Sequence, residues 1–163
     1  MSEYKIDELD RKILSFLVND ARKPFLEIAR ACGVSGAAIH QRVKRLEENG
    51  IISGFSAHVK PAAIGLPVCA FISLNLSQAD RLAEVVDQLK RIPEIVECHF
   101  ITGRASMLIK THCASYDHLM EIIINGINKI DSIQSTETMI SLIEPFERQV
   151  GVHQETPEIT WKA

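Results

Sequence analysis

No apolar run in this 163-residue chain approaches the roughly 18 residues that span a bilayer, and the N-terminus, MSEYKIDELD, has no apolar signal core. No membrane partner is expected, and the cytoplasm is the expected location. The four cysteines, Cys32, Cys69, Cys98 and Cys113, form no CxxC pair, so zinc-finger spacing is absent. Cys98-His99 and His112-Cys113 fall in neighbouring predicted strands, but free cysteine behaves as a small core hydrophobe and a cytoplasmic chain has no need of disulfides. No metal and no cofactor is assigned. The chain also lacks a clustered titratable set with a nucleophile, and a glycine-rich phosphate loop, which weighs against an enzyme. A strong basic excess is missing too: formal net charge is −3, unlike a histone-like tail.

What is present is the composition of a folded globular chain, 46% hydrophobic and 24% charged, with length for one ordinary domain or two small ones. Charge is unevenly spread. Residues 1–60 carry 10 Lys and Arg against 8 Asp and Glu, whereas residues 61–163 carry 8 against 13. Any affinity for DNA should therefore come from a local patch in the first part, multiplied by oligomerisation.

The first 60 residues predict three helices. Asp7 is an N-cap type followed by acidic residues suited to a helix N-terminus, and Leu9, Ile13, Phe16 and Leu17 make one apolar stripe. Pro24 fits the first turn of a short second helix carrying Leu26, Ile28 and Ala29 and stopping at Gly33. Ser35 can then cap a third helix, in which Ile39, Val43 and Leu46 share a stripe while Ala37, Ala38, Gln41, Lys44 and Arg45 lie across from it. The tight turn between the last two helices matches a helix-turn-helix. Small residues at the start of the third helix permit close approach to a DNA major groove, an amide can read a base edge, and cations can meet phosphates. The candidate DNA-binding residues are Ser35, Gly36, Ala37, Ala38, His40, Gln41, Arg42, Lys44 and Arg45. Gln41 with Gly36, Ala37 and Ala38 would approach base edges, Arg42, Lys44 and Arg45 would hold phosphates, and His40 suits either. Ile51 to Val59 predicts a short hairpin or strand, a wing, which closes a first domain over residues 1–60.

Residues 61–67, bounded by prolines, read as a linker, and residues 68–145 change character. Val68 to Leu76 alternates as a strand, and Ser77 can cap a helix with Leu82, Val85, Val86 and Leu89 on one face. Ile95 to Thr102 and Met107 to Cys113 predict two strands joined at Gly103–Ser106. Ser115 can cap a helix with Tyr116, Leu119, Ile123, Ile127 and Ile130 inward, and Ile133 to Ile143 predicts a last strand. The order βαββαβ is the ferredoxin-like plan, so the fold class is α+β: a winged helix-turn-helix followed by a ferredoxin-like domain. Its bare sheet face calls for a second copy of the chain. The polar tail, 146–163, scatters Phe146, Val150, Val152, Ile159 and Trp161, residues that could dock on a neighbouring subunit.

Residues 4–150 resemble the Lrp/AsnC (feast/famine) regulators. The resemblance rests on IDELDRKILSFL, on LEIARACGVSGAAIHQRVKRLEENGIISGF, and on TGRASMLIK and IQSTETMISL in the second half. Ile133 to Thr138 looks closest to the asparagine-responsive AsnC branch. The resemblance implies a sequence-specific transcriptional regulator that binds double-stranded DNA. It also implies an ACT-like (RAM) second domain that dimerises through its sheet, assembles further to an octamer, and binds a small amino acid at subunit interfaces. Carried over, the effector site comprises Thr102, Gly103, Arg104 and Ser106, with Gln134, Ser135 and Thr136 from the last strand. Many members follow the glycine of this turn with an aromatic residue and an aspartate. Here Arg104, Ala105 and Ser106 follow, and Arg104 suits a carboxylate in a bidentate pair. The effector's identity stays open. Two rivals stand beside this reading: an architectural, nucleoid-type protein that wraps DNA with little dependence on ligand, and an Lrp-like enzyme of haem biosynthesis using His99 or His112.

Overall fold

The computed structural model describes residues 4–77 and 81–152. Three helices open the chain: α1 (Glu8–Asn19), α2 (Phe25–Cys32) and α3 (Gly36–Glu48). Asp7 caps α1 by accepting from the Asp10 amide, and Asp10 reciprocates to the Asp7 amide, so two of the free donors at the helix start are satisfied. Gly33, at φ 69°, turns the chain out of α2 in the left-handed region that a side chain disfavours. Ser35 Oγ then accepts from the Ala38 amide and starts α3. Ile13, Leu17, Ile28, Ala29, Ile39 and Val43 form the core between the three helices, with Leu9, Phe16 and Val34 packed at its edge.

The wing expected over Ile51–Val59 does not form: residues 51–60 carry no strand. The Ile51 and Ile52 amides both return to the Leu46 carbonyl, at 2.9 and 3.1 Å. Ile52 packs on the helical core. Beyond it Phe55 and Val59 are exposed.

His58–Pro145 forms a second compact unit. After a helical turn at Pro61–Ile64, β1 (Val68–Leu76), α4 (Leu82–Leu89), β2 (Ile95–Phe100), β3 (Met107–Cys113), α5 (Tyr116–Glu121) and β4 (Ile133–Ile140) follow in order. The four strands are antiparallel in the order β2-β3-β1-β4. Alternation along β1 and β3 sends Ala70, Ile72, Leu74, Met107, Ile109 and Cys113 into a core completed by Val85, Leu89, Leu119, Ile122 and Ile127.

Several expected boundaries differ. The Ser77 hydroxyl donates to the Ser132 carbonyl and α4 runs from Leu82, while the amides that an expected Ser77 cap would bond, in residues 78–80, lie outside the described residues. β2 stops at Phe100, one bond from the Ile101 amide to the Ser106 carbonyl carrying the pairing into the turn. β4 stops at Ile140, after which Leu142 and Ile143 are exposed. Ser115 does cap α5, through the His118 amide, but this places Tyr116 at the first helical position, where it is exposed rather than inward. A wide π turn at Ile122–Gly126 then shifts the phase so that Ile122 joins Leu119 and Ile127 in the core. Ile159 and Trp161 lie outside the described residues.

Candidate functional site

The third helix presents two different faces. Ile39 and Leu46 are fully buried and Val43 nearly so, which holds α3 on the other two helices. Ala37, Gln41, Lys44 and Arg45 are exposed. Arg45 has no ion-pair partner among the described residues, and Lys44 has only an exposed contact with Glu48 at 3.7 Å, worth at most a few tenths of a kcal/mol, of order 0.3–0.5. Gln41 and Arg45, one turn apart, point the same way, an amide beside a cation.

Other expected contacts are placed differently. His40 is exposed but turns its ring edge-on to Phe25 on α2, with centroids 4.7 Å apart. Gly36 lies under Leu26: a Cβ there would come within 3.1 Å of the leucine Cδ2, so its smallness also serves the packing of α2 on α3. Arg42 turns back toward α1. Its guanidinium bonds the Asp7 carboxylate and reaches Asp10 Oδ1 at 3.2 Å. Asp10 is fully buried and also accepts from the Tyr4 hydroxyl at 2.9 Å and the Asp7 amide at 3.2 Å. The Asp10 amide, seconded by the Arg42 guanidinium, holds the Asp7 carboxyl below the usual aspartate range.

In the second unit the sheet order brings the two groups of effector candidates to either side of one strand end. On one side, the Ser106 amide donates to the Leu74 carbonyl at 3.0 Å and its hydroxyl accepts from the Leu76 amide at 3.4 Å. On the other, Asn75 Nδ2 donates to Ser135 Oγ at 3.0 Å, beside a bulge that leaves Gln134 unpaired in the ladder. Thr136 stands opposite Leu74. Thr102, Gly103 and Arg104 are exposed in the turn, with Gly103 at φ 133°. Asn75, on β1 between the two groups, is not among the residues the sequence points to; its one signal is a polar amide near the end of the apolar strand VCAFISLNL.

The sheet face turned away from the helices carries Phe71 on β1, Leu108 and Lys110 on β3, Glu97 and His99 on β2, and Met139 on β4. Lys110 Nζ lies 3.5 Å from both Glu97 and Glu144 and 5.9 Å from the Phe71 ring centre. Burial acts against its charge, but the two glutamates outweigh it and hold the ammonium above its ordinary range.

Comparison with known proteins bears on both halves. An AsnC-type helix-turn-helix domain matches residues 6–47, and a Lrp/AsnC ligand binding domain matches residues 69–150. Regulatory protein AsnC of Escherichia coli K12 is 40% identical over 150 residues, covering 92% of this chain and 99% of that one. The chain belongs to the Lrp/AsnC family. HTH-type transcriptional regulator FL11 of Pyrococcus furiosus is 34% identical over 157 residues, covering 96% and 97% of the two chains. The solved structure of E. coli AsnC superposes with a TM-score of 0.84, covering 91% of this chain and 99% of that one. A Neisseria meningitidis transcriptional regulator solved as a complex with L-Met is 21% identical, with a TM-score of 0.82 and coverage of 88% and 94%, a likeness of fold. As a Lrp/AsnC member the chain is a DNA-binding transcriptional regulator with a ligand-binding domain, and not an enzyme. Among the described residues, no helix is long and apolar enough to cross a membrane.

Proposed function

We propose that this regulator reads specific double-stranded DNA sites with α3 and is modulated in the cytoplasm by a small amino acid bound at subunit interfaces of the second unit. The observation that carries the reading is α3 itself, anchored by Ile39, Val43 and Leu46 while Gln41 and Arg45 face outward side by side. Gln41 suits a base edge, and Lys44 and Arg45 suit phosphates. A second copy covers the bare sheet face, pairing two α3 helices for half-sites about 34 Å apart or a multiple of it, and such dimers assemble further, toward an octamer.

The effector site comprises Thr102, Gly103, Arg104 and Ser106 with Gln134, Ser135 and Thr136, bridged by Asn75. Arg104 suits the effector's carboxylate, and the hydroxyls and amides suit a polar side chain, which makes asparagine the first amino acid to test. Such a ligand changes DNA affinity only if it prefers one assembly geometry over another.

Gel-shift titrations at several salt concentrations test the DNA reading. Arg45→Ala should weaken binding across all sequences and flatten the salt dependence, and Gln41→Ala should mainly relax sequence preference. Unchanged affinity in both removes α3 from the groove. A thermal-shift screen of the proteinogenic amino acids tests the effector, since a ligand at about 100 times its dissociation constant adds roughly 2.7 kcal/mol. No stabilisation by any of them would favour the architectural reading.

A further inference from the structure

Arg42 has the residue type and the position of a DNA contact, a cation midway along α3 and next in sequence to Gln41. Its surroundings give it another task. One terminal nitrogen of the guanidinium, Nη1, bonds two carboxylates 32 and 35 residues earlier in the chain, and one of them, Asp10, is fully buried. Among the described residues that buried carboxylate has three partners: the Tyr4 hydroxyl and the Asp7 amide on Oδ2, and Arg42 on Oδ1. Asp7 and Asp10 are also the capping box of α1, so the cluster ties the rigid first turn of one helix to the middle of another.

Both bonds leave the same terminal nitrogen, Nη1, whose two N–H donors lie in the fixed plane of the guanidinium, so bonds to two acids at once constrain direction as well as distance. Side chains at successive helix positions are about 100° apart, so a fixed direction for Arg42 fixes the direction in which Gln41 leaves the helix. The apolar contacts of Ile39, Val43 and Leu46 hold α3 down but are non-directional. They tolerate small rotations that an ion pair to two acids resists.

We infer that Arg42 is a positioning residue of α3 and not a phosphate contact: clamped by Asp7 and Asp10, it sets the rotation at which Gln41 and Arg45 meet DNA. The inference rests on α3 being the reading helix. Without the clamp the helix stays folded on its apolar stripe but presents Gln41 over a wider range of angles, and sequence discrimination suffers before general DNA affinity does.

The test compares full-length wild type with Arg42→Gln, Arg42→Lys, Asp10→Asn and Arg45→Ala. Binding to a duplex selected by the wild type from a random library, and to poly(dI-dC), is measured from 50 to 200 mM salt, at a temperature where circular dichroism shows each variant folded. Arg42→Gln should lower the ratio of specific to non-specific affinity roughly tenfold, the worth of one misplaced base-edge contact, and leave the salt slope unchanged. Asp10→Asn should lower the same ratio, although loss of a negative charge alone would raise both affinities. Arg42→Lys, which keeps the charge and loses the planar, directional donors, should fall between; it also covers the case in which Arg42→Gln fails to fold. The inference is overturned if Arg42→Gln flattens the salt slope by about 0.9 per subunit, as Arg45→Ala should, with the affinity ratio intact. It is equally overturned if Arg42→Lys behaves as wild type and Asp10→Asn binds all DNA more tightly. Failure of the α3 reading itself looks different: Arg45→Ala then changes neither slope nor affinity, and the inference falls with it.

Discussion

Arg42 in the first unit and Lys110 in the second each lie between two carboxylates, but they differ in what surrounds them. Around Arg42 one of the two acids lies at the centre of a buried network: Asp10 is fully buried and accepts from the Tyr4 hydroxyl and the Asp7 amide as well, while Asp7 stays 48% exposed. Around Lys110 the contacts are looser, 3.5 Å to each glutamate, and the glutamate side chains stay 45% and 52% exposed beside a lysine that is 11% exposed. One acid of the Arg42 cluster caps a helix, whereas the Lys110 cluster stands on a sheet face with apolar Phe71, Leu108 and Met139 around it. A cluster anchored on a buried acid ties two helices together within its own unit. An open one on a bare face leaves its last neighbours to a covering surface, and the second copy proposed above supplies one.

The sharpest way to break this comparison is through the cores that carry the two clusters. Ile39→Ala should cost the first unit about 2–5 kcal/mol, and Ile109→Ala should cost the second a similar amount, since both side chains are fully buried. Calorimetric unfolding should show each substitution lowering a different transition. A single transition lowered equally by both would deny the two units separate stability.

Lys110→Glu comes next. It would put a third carboxylate beside Glu97 and Glu144, and burial of that uncompensated charge should raise the dimer dissociation constant by at least about tenfold. Sedimentation velocity would detect the shift, and an unaltered distribution would mean that the dimer does not form through this face.

Acid should act on the Arg42 cluster through Asp7. The Asp7 carboxyl is held low in the folded chain, so the unfolded chain binds more protons around the ordinary aspartate value of about 3.9. The stabilisation is present in full above that value and is lost as pH falls through the lower folded one. Unfolding of wild type and Asp7→Asn between about pH 6 and pH 2 should therefore show a stability gap that closes on acidification. A gap that widens would refute the assignment.

The smallest effect belongs to the exposed Lys44–Glu48 pair, where Lys44→Ala should change stability by less than about 0.5 kcal/mol while flattening the salt dependence of DNA binding. A larger stability loss would mean that Lys44 has a structural role like that of Arg42.

Much of the first unit was legible because its signals are local. Asp7, Gly33 and Ser35 act on amides a few residues away, and Ile39, Val43 and Leu46 declare their buried stripe by spacing alone. The inward turn of Arg42 was not legible, because its partners lie 32 and 35 residues off and cationic helix residues look alike in a string of letters. The same holds for Gly36, read as a point of DNA approach and found under Leu26. In the second unit strand order followed from alternation, but the meeting of Ser106, Asn75 and Ser135 depends on a register that no single segment carries. The wing failed where the Ile51 and Ile52 amides return to the Leu46 carbonyl, and the inward Tyr116 through the placement of the Ser115 cap.

The most direct measurement of whether α3 reads DNA is a binding profile over a randomised duplex library, taken for wild type and Gln41→Ala at one salt concentration. A reading helix predicts that preference relaxes at one or two symmetry-related base positions, by about 1–3 kcal/mol each, and stays unchanged elsewhere. An identical profile for the two proteins would contradict it.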